Sequence, residues 1–251
     1  MDVAAWDHQA VETPSVVLFQ GAYHMFYTGY PVTHTDPSSY RIGHAVSSDG
    51  ITWTRDLKPV LGPSCPGWSV ASQVCDPGGE VTDVNSFLVG EPGAVVFEGK
   101  VYLYFAGNGY DTKLANPVFS IGLATSPDAL SWSKPIRALS PDQVQYPRAS
   151  WLGYSTPAAL VLGGEVHLFF DVIRDMPFTQ VALRHARSAD GANGFIQDEG
   201  AIFSTADFAF TAREIRAPSP LLDGTKVRLW FAGDDGGASP TLSIGQAACA
   251  L

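Results

Sequence analysis

Four times along this chain, an apolar strand that opens on proline runs into a glycine turn and is answered by an aromatic-rich strand. The first members are ETPSVVLFQG (12–21), GEPGAVVFEG (90–99), STPAALVLGG (155–164) and RAPSPLLDG (216–224). Each ends on glycine, which takes the positive φ of a hairpin turn without steric cost. The second members are AYHMFYTG (22–29), KVYLYFAG (100–107), EVHLFFDV (165–172) and KVRLWFAG (226–233). The third are YRIGHAVSSDG (40–50), FSIGLATSPDA (119–129), VALRHARSADG (181–191) and LSIGQAACA (242–250). A fourth strand follows in three units, as TWTRDLKPVL, SWSKPIRAL and FIQDEGAIFS. The aromatic markers Phe26, Tyr104, Phe169 and Trp230 are 78, 65 and 61 residues apart. Four-stranded antiparallel units recurring at that interval predict the blades of a β-propeller. Regular short strands also suit a sandwich, but a sandwich gives no reason for the same four-strand pattern to return.

The repeat therefore predicts a single all-β propeller domain over 1–251, with blades near 11–62, 90–140, 154–204 and 214–251. An irregular Gly/Pro/Ser-rich insertion fills 63–89. The fourth unit shows only three strands, so either residues 1–10 complete it or a further blade precedes the first. The segment AAWDHQAVETPSV reads as a connection from an earlier blade, which favours the second alternative. In SSDGITW, SPDALSW and SADGANGF the Asp makes the turn between third and fourth strands. The Trp that follows in the first two is expected to pack between sheets.

Composition excludes several classes. The chain has 251 residues, 45% hydrophobic, enough for a full core. Its net charge is −10 with no basic stripe, so no nucleic-acid partner is expected. No apolar run approaches the roughly 20 residues of a membrane span. The opening MDVAAWDHQA lacks the regions of a signal peptide, so a secreted form would carry its leader outside this chain. Cys65 and Cys75 bracket the short loop CPGWSVASQVC, a spacing that suits a disulfide, two free thiols being the alternative. A disulfide implies an oxidising compartment, hence a secreted or periplasmic protein. Cys249, in an apolar strand, is expected to be buried.

The four units resemble the blades of the five-bladed propeller glycosidases, the fold group of glycoside hydrolase families 43, 62, 32, 68 and 130. The motifs that carry the likeness are YHMFYTG, IGHAVSSDGITW and IGLATSPDALSW, with the blade proline before each inner strand. The resemblance covers most of the chain, is specific for the fold and assigns no family. It implies an axial funnel whose acids stand near the blade prolines, acting on an oligo- or polysaccharide. One group protonates the glycosidic oxygen while another activates water or attacks the sugar carbon.

Carried over by position, Glu12 in ETP is the candidate general acid. Glu91 in GEP is the candidate base or the carboxylate that orients the acid. STP puts Ser155 and Thr156 at the third start, and RAP puts Arg216 at the fourth, with Glu214 two residues earlier. Trp6 and Asp7 read as a sugar platform and its polar partner, with a packing anchor as the alternative for Trp6. Thus Trp6, Asp7, Ser155, Glu214 and Arg216 are the candidate substrate-binding residues. The carboxylate-proline of the family's first blade has no counterpart at an inner-strand start. A non-catalytic sugar-binding propeller is therefore the second reading. Asp171 is expected to pair with Arg174 or Arg184 rather than face the funnel. His24 and His167, at one shared position, are expected to pack between blades. No cofactor is expected, and Asp234 and Asp235 read as a solvated turn with too few ligands to hold calcium.

Overall fold

The computed structural model describes residues 5–31, 39–66, 75–76, 78–111, 116–141, 153–174, 179–237 and 242–250. The chain forms two compact units, Met1–Ala138 and Leu139–Leu251. In the first, β1 (Ala10–Phe19), β2 (Ala22–Tyr30), β3 (Arg41–Ser47) and β4 (Thr54–Arg55) follow one another in a single antiparallel sheet. A second run comprises β5 (Leu88–Phe97), β6 (Lys100–Asp111), β7 (Asn116–Ser126) and β8 (Ile136–Leu139), each paired with the strand before it. These are the first and second blades. They pack through a core of Phe19, Phe26 and Ile42 against Val89, Val101, Leu103 and Phe105. Trp132, from the turn SPDALSW, meets Phe26 edge-on at 5.4 Å, the intersheet packing expected of that residue.

In the second unit, β9 (Gly153–Leu162), β10 (Glu165–Arg174) and β11 (Thr179–Ser188) make the third blade. The short β12 (Ile196–Gln197) and β13 (Phe203–Ser204) both pair with β11. The fourth blade is β14 (Glu214–Asp223), β15 (Lys226–Asp234) and β16 (Leu242–Ala250), reached through one 3-10 turn at Ala209–Thr211. Phe169 and Leu183 pack here against Ile215, Leu229 and Phe231.

Local chemistry explains why the units recur. In each Ser-x-Asp turn the serine and aspartate cap the chain reversal. Asp49 Oδ1 accepts from the amides of Ile51 (2.8 Å) and Thr52 (2.7 Å), and Ser47 Oγ accepts from Gly50 (2.8 Å). Asp128 and Asp190 repeat the arrangement. Backbone amides hold all three carboxyls down to about 2. The third-strand glycines have a different cause. Gly43, Gly122 and Gly245 lie opposite Tyr27, Phe105 and Phe231, and a Cβ at any of them would collide with those rings or with Phe210.

The blade prolines mark one repeated defect. In each first strand two residues face one on the second: Thr13–Pro14 against Tyr27, Glu91–Pro92 against Phe105, Thr156–Pro157 against Phe170, and Ala217–Pro218 against Phe231. These are β-bulges, the place where a residue without an N–H is tolerated inside a sheet. Thr13, Glu91, Thr156 and Ala217 all take positive φ, between 45° and 55°. Such conformations are strained for residues with a Cβ and persist where the surroundings over-determine them.

The insertion carries the disulfide between Cys65 and Cys75. The Cys65 amide donates to Ser86 O (2.9 Å) and Asn85 Nδ2 to Gly62 O (2.9 Å), which fasten the loop to the blade. Two expectations are corrected. Cys249 is exposed, because β16 pairs only with β15 among the described strands and its outward side chains meet solvent. Asp234 is buried rather than solvated, ion-paired with Arg213 and accepting from the Gly236 amide at 2.7 Å.

The expectation for His24 and His167 is packing between blades; the ring contacts of His24 with Phe19 and His44, and of His167 with His185, lie within their own blades, and each heads a hydrogen-bonded chain. His24 Nδ1 meets His44 Nε2 at 2.9 Å, and His44 Nδ1 meets Asp56 Oδ2 at 2.8 Å. His167, His185 and Asp198 repeat both distances. Two rings joined by one hydrogen bond cannot both be doubly protonated, because the contact would lose its acceptor and set two cations together. Burial first, then the neighbouring ring, holds His24 and His167 below the usual histidine range. The unfolded chain then binds more protons than the folded one below about pH 6.5, so stability falls as pH drops through that value. Urea midpoints between pH 7.5 and 5.5 are expected to decrease. His24→Tyr, the residue type at the equivalent Tyr102, is expected to reduce that slope, and an unchanged slope would refute the assignment.

Candidate functional site

In the first unit the bulges place both candidate carboxylates. Glu12 is the last regular position of β1 before its bulge, opposite Thr28. Glu91 lies within the bulge of β5, with φ 53°. The two are thus offset by one position. Glu12 corresponds to Gly90, Ser155 and Arg216, and Glu91 to Thr13, Thr156 and Ala217. Thr28 is fully buried and ties the two starts together. Its Oγ1 accepts from the Glu91 amide at 2.7 Å and shares a 2.8 Å hydrogen bond with Thr13 Oγ1. Ser15 Oγ, accepting from the Ala94 amide at 2.9 Å, adds a second tie.

Two tyrosines border these carboxylates. Tyr30 and Tyr40 stack with ring centroids 4.7 Å apart and 12° between planes. Gly90 lies against Tyr40 and Thr28, since a Cβ there would stand 3.6 Å from the Tyr40 ring and 3.4 Å from Thr28. The Tyr40 phenol is pushed well up from its usual value by burial, then by the charges of Glu12, Tyr30 and Glu91. Tyr30 is raised by burial and by Glu12. Both phenols therefore stay protonated at neutral pH and can donate, while both carboxylates can accept. Neither tyrosine is singled out by sequence reasoning. Their signal is positional: Tyr30 ends the second strand YHMFYTGY and Tyr40 opens the third, directly across from it.

Trp6 and Asp7 lie against β2 and β3, and Asp7 lines one cavity with Glu12. The Trp6 ring stacks on Tyr27 at 6.0 Å and 16°, and fills the space over Gly29 and Gly43. Asp7 is buried, accepts from Tyr27 Oη at 2.9 Å and pairs with Arg55. Glu12 also lines a cavity of about 570 Å3 with Val11, Pro14, Met25, Tyr27 and Arg55.

The second unit holds the remaining candidates. Ser155 is buried and donates to Asp171 Oδ1, Thr156 Oγ1 donates to Asp171 Oδ2 at 2.6 Å, and the Ala217 amide donates to the same oxygen at 3.3 Å. Asp171 is fully buried, which pushes its carboxyl up against the opposing pull of these donors and of Arg216. The expected pairing with Arg174 or Arg184 is thereby replaced. Asp171 faces the bulge because it stands directly opposite Ser155, and Arg184 donates to Asp198 O instead. Arg216 lies 3.8 Å from Glu214. Among the described residues no group of three His, Cys, Asp or Glu is placed to hold a metal ion, and no helix is long and apolar enough to cross a membrane.

No family model and no curated protein matches this sequence. Solved structures do. A thermostable family-43 glycoside hydrolase superposes with TM-score 0.67 at 13% identity, covering 94% of this chain and 70% of that one. A Bombyx mori family-32 β-fructofuranosidase, BmSUC1, gives 0.66 at 19%, covering 96% and 46%. A third is described as belonging to the family-130 mannoside phosphorylases, which contain glycoside hydrolases that target β-1,2 mannosidic linkages in Candida mannan. It gives 0.64 at 17%, covering 94% and 66%. The chain thus spans from under half to about seven-tenths of these proteins' length. The likeness is one of fold: this is an all-β chain with the architecture of the five-bladed propeller glycoside hydrolases.

Proposed function

We propose that this chain is a glycosidase-like carbohydrate-active protein that cleaves glycosidic bonds of an oligo- or polysaccharide. Glu12 acts as the general acid, and Glu91 as the base or the carboxylate that orients the acid. The observation that carries this reading is that the two successive blade starts meet at one buried hydroxyl: Thr28 Oγ1 accepts from the Glu91 amide at 2.7 Å and shares a 2.8 Å hydrogen bond with Thr13 Oγ1, next to Glu12. Two carboxylates at one site are the minimum for protonating a glycosidic oxygen and activating its attacker. Fold kinship with glycosidases supports a sugar as substrate, and the disulfide supports an oxidising compartment.

A non-catalytic sugar-binding propeller is the second reading, favoured by one observation. The third and fourth starts carry Ser155–Thr156 and Arg216–Ala217, with no carboxylate. One comparison separates them. Oligosaccharide and aryl-glycoside panels are incubated with the protein, with and without inorganic phosphate, and binding is measured in parallel. An enzyme turns over at least one member, and Glu12→Gln/Glu91→Gln abolishes turnover while binding persists. Binding without turnover in the unmodified protein would establish the second reading.

A further inference from the structure

Thr28, the threonine of YHMFYTG, touches both candidate blade starts. We propose that Thr28 is the positioning residue that sets Glu12 and Glu91 relative to one another, an inference that rests on the glycosidase-like reading. Its side chain is fully buried and its hydroxyl is used twice, toward the Glu91 amide and toward Thr13 Oγ1. Thr13 and Glu91 are the positive-φ residues of successive bulges. Each is strained, so each needs an external hold to stay in place. One hydroxyl supplies both. Through Thr13 it fixes the residue that follows Glu12, and through the amide it fixes Glu91 itself.

An independent copy of the device supports the assignment. Asp171 occupies the position of Thr28 in the third blade, opposite the residue that precedes the bulge. It accepts from Thr156 Oγ1, the counterpart of Thr13 Oγ1, and from the amide of Ala217, the counterpart of Glu91. The second and fourth blades carry Ala106 and Ala232 there, which have no polar atom to offer. The tie therefore links first blade to second and third blade to fourth. In the first pair it holds Glu91 itself and Thr13, the residue that follows Glu12.

The test uses Thr28→Val, which keeps shape and removes the hydroxyl, and Thr28→Ser, which restores it. Amide exchange at Glu91, followed by NMR, reads the contact without reference to activity. Thr28→Val is expected to speed Glu91 exchange about tenfold, the scale of one lost hydrogen bond. On an aryl glycoside that the unmodified protein turns over, kcat is expected to fall about tenfold with KM little changed. The pH profile is expected to shift as the carboxylates move apart. Thr28→Ser is expected to return both readouts. Should Thr28→Val fail to fold, Thr13→Val removes the hydroxyl's other partner and is read in the same way at the Glu91 amide. Unaltered Glu91 exchange in Thr28→Val, or no rescue by Thr28→Ser, would overturn the proposal. Altered exchange in a protein that turns over no glycoside would support the tie and reject the glycosidase reading.

Discussion

Glu12→Gln is expected to divide substrates by their leaving group. A general acid is needed where the departing oxygen is basic, as in an alcohol or a sugar, and is dispensable where it departs as a stabilised phenolate. With a sugar leaving group the variant should lose about 10²–10⁴-fold in kcat/KM, the usual contribution of a positioned proton donor. With dinitrophenolate it should lose little. The alkaline limb of the pH profile, which reports deprotonation of the acid, should disappear with it. Glu91→Gln separates its two proposed roles: as the base it should slow both substrates together, because attack on the sugar carbon is required whatever departs, and as the carboxylate that orients the acid it should follow Glu12→Gln. Equal losses of Glu12→Gln on both leaving groups would remove it from the acid role. The acid role of Glu12 is carried over from the blade-proline pattern; the bulge sets Glu12 and Glu91 one position apart and so gives two like side chains unlike surroundings.

Sequence periodicity was sufficient for the blades because their signals are local. Gly43 and Gly122 are legible as turn-free strand glycines, and their cause, an aromatic ring across the ladder, lies only one strand away. The Ser-x-Asp turns are equally local. The bulges were not legible. A residue before proline is ordinarily biased toward extended backbone, so positive φ at Thr13, Glu91, Thr156 and Ala217 runs against the local rule. It is sustained by contacts to the second strand or to the next blade. Asp171 failed for the same reason. Sequence proximity pointed to Arg174 and Arg184, while its actual partners come from the strand opposite and from residue 217, 46 positions away.

Blades one and three share features that two and four lack. His24–His44–Asp56 answers His167–His185–Asp198, and Thr28 answers Asp171. Each tie points into the following blade of its own compact unit. The repeating element that stabilises this chain is thus a pair of blades, the first carrying a polar residue opposite the position before its bulge, Thr28 or Asp171, and the second carrying alanine there, Ala106 or Ala232. A blade carrying alanine at that position depends on its predecessor to hold its own strained start.

Asp171→Ala tests that dependence where its effect should be largest. The substitution strands the Ser155 and Thr156 hydroxyls and the Ala217 amide at a fully buried place, and leaves Glu214 as the carboxylate beside Arg216. Removing one partner from a buried charged network typically costs about 3–5 kcal/mol. Urea denaturation should report a loss of that size. Asp171→Thr, the solution used by the first blade, should cost less, since one hydroxyl can still accept from the Ala217 amide. The pH dependence has a defined sign. Burial raises the Asp171 carboxyl above its unfolded value, so the folded chain holds this proton more tightly. Its contribution is then complete below about pH 4 and declines as pH rises through the raised value. The gap between wild type and Asp171→Ala should narrow over that range. A loss under about 1 kcal/mol would mean that desolvation of the carboxylate already cancels its hydrogen bonds, and that the third and fourth blades are held together by Phe169, Leu183 and Phe231 alone.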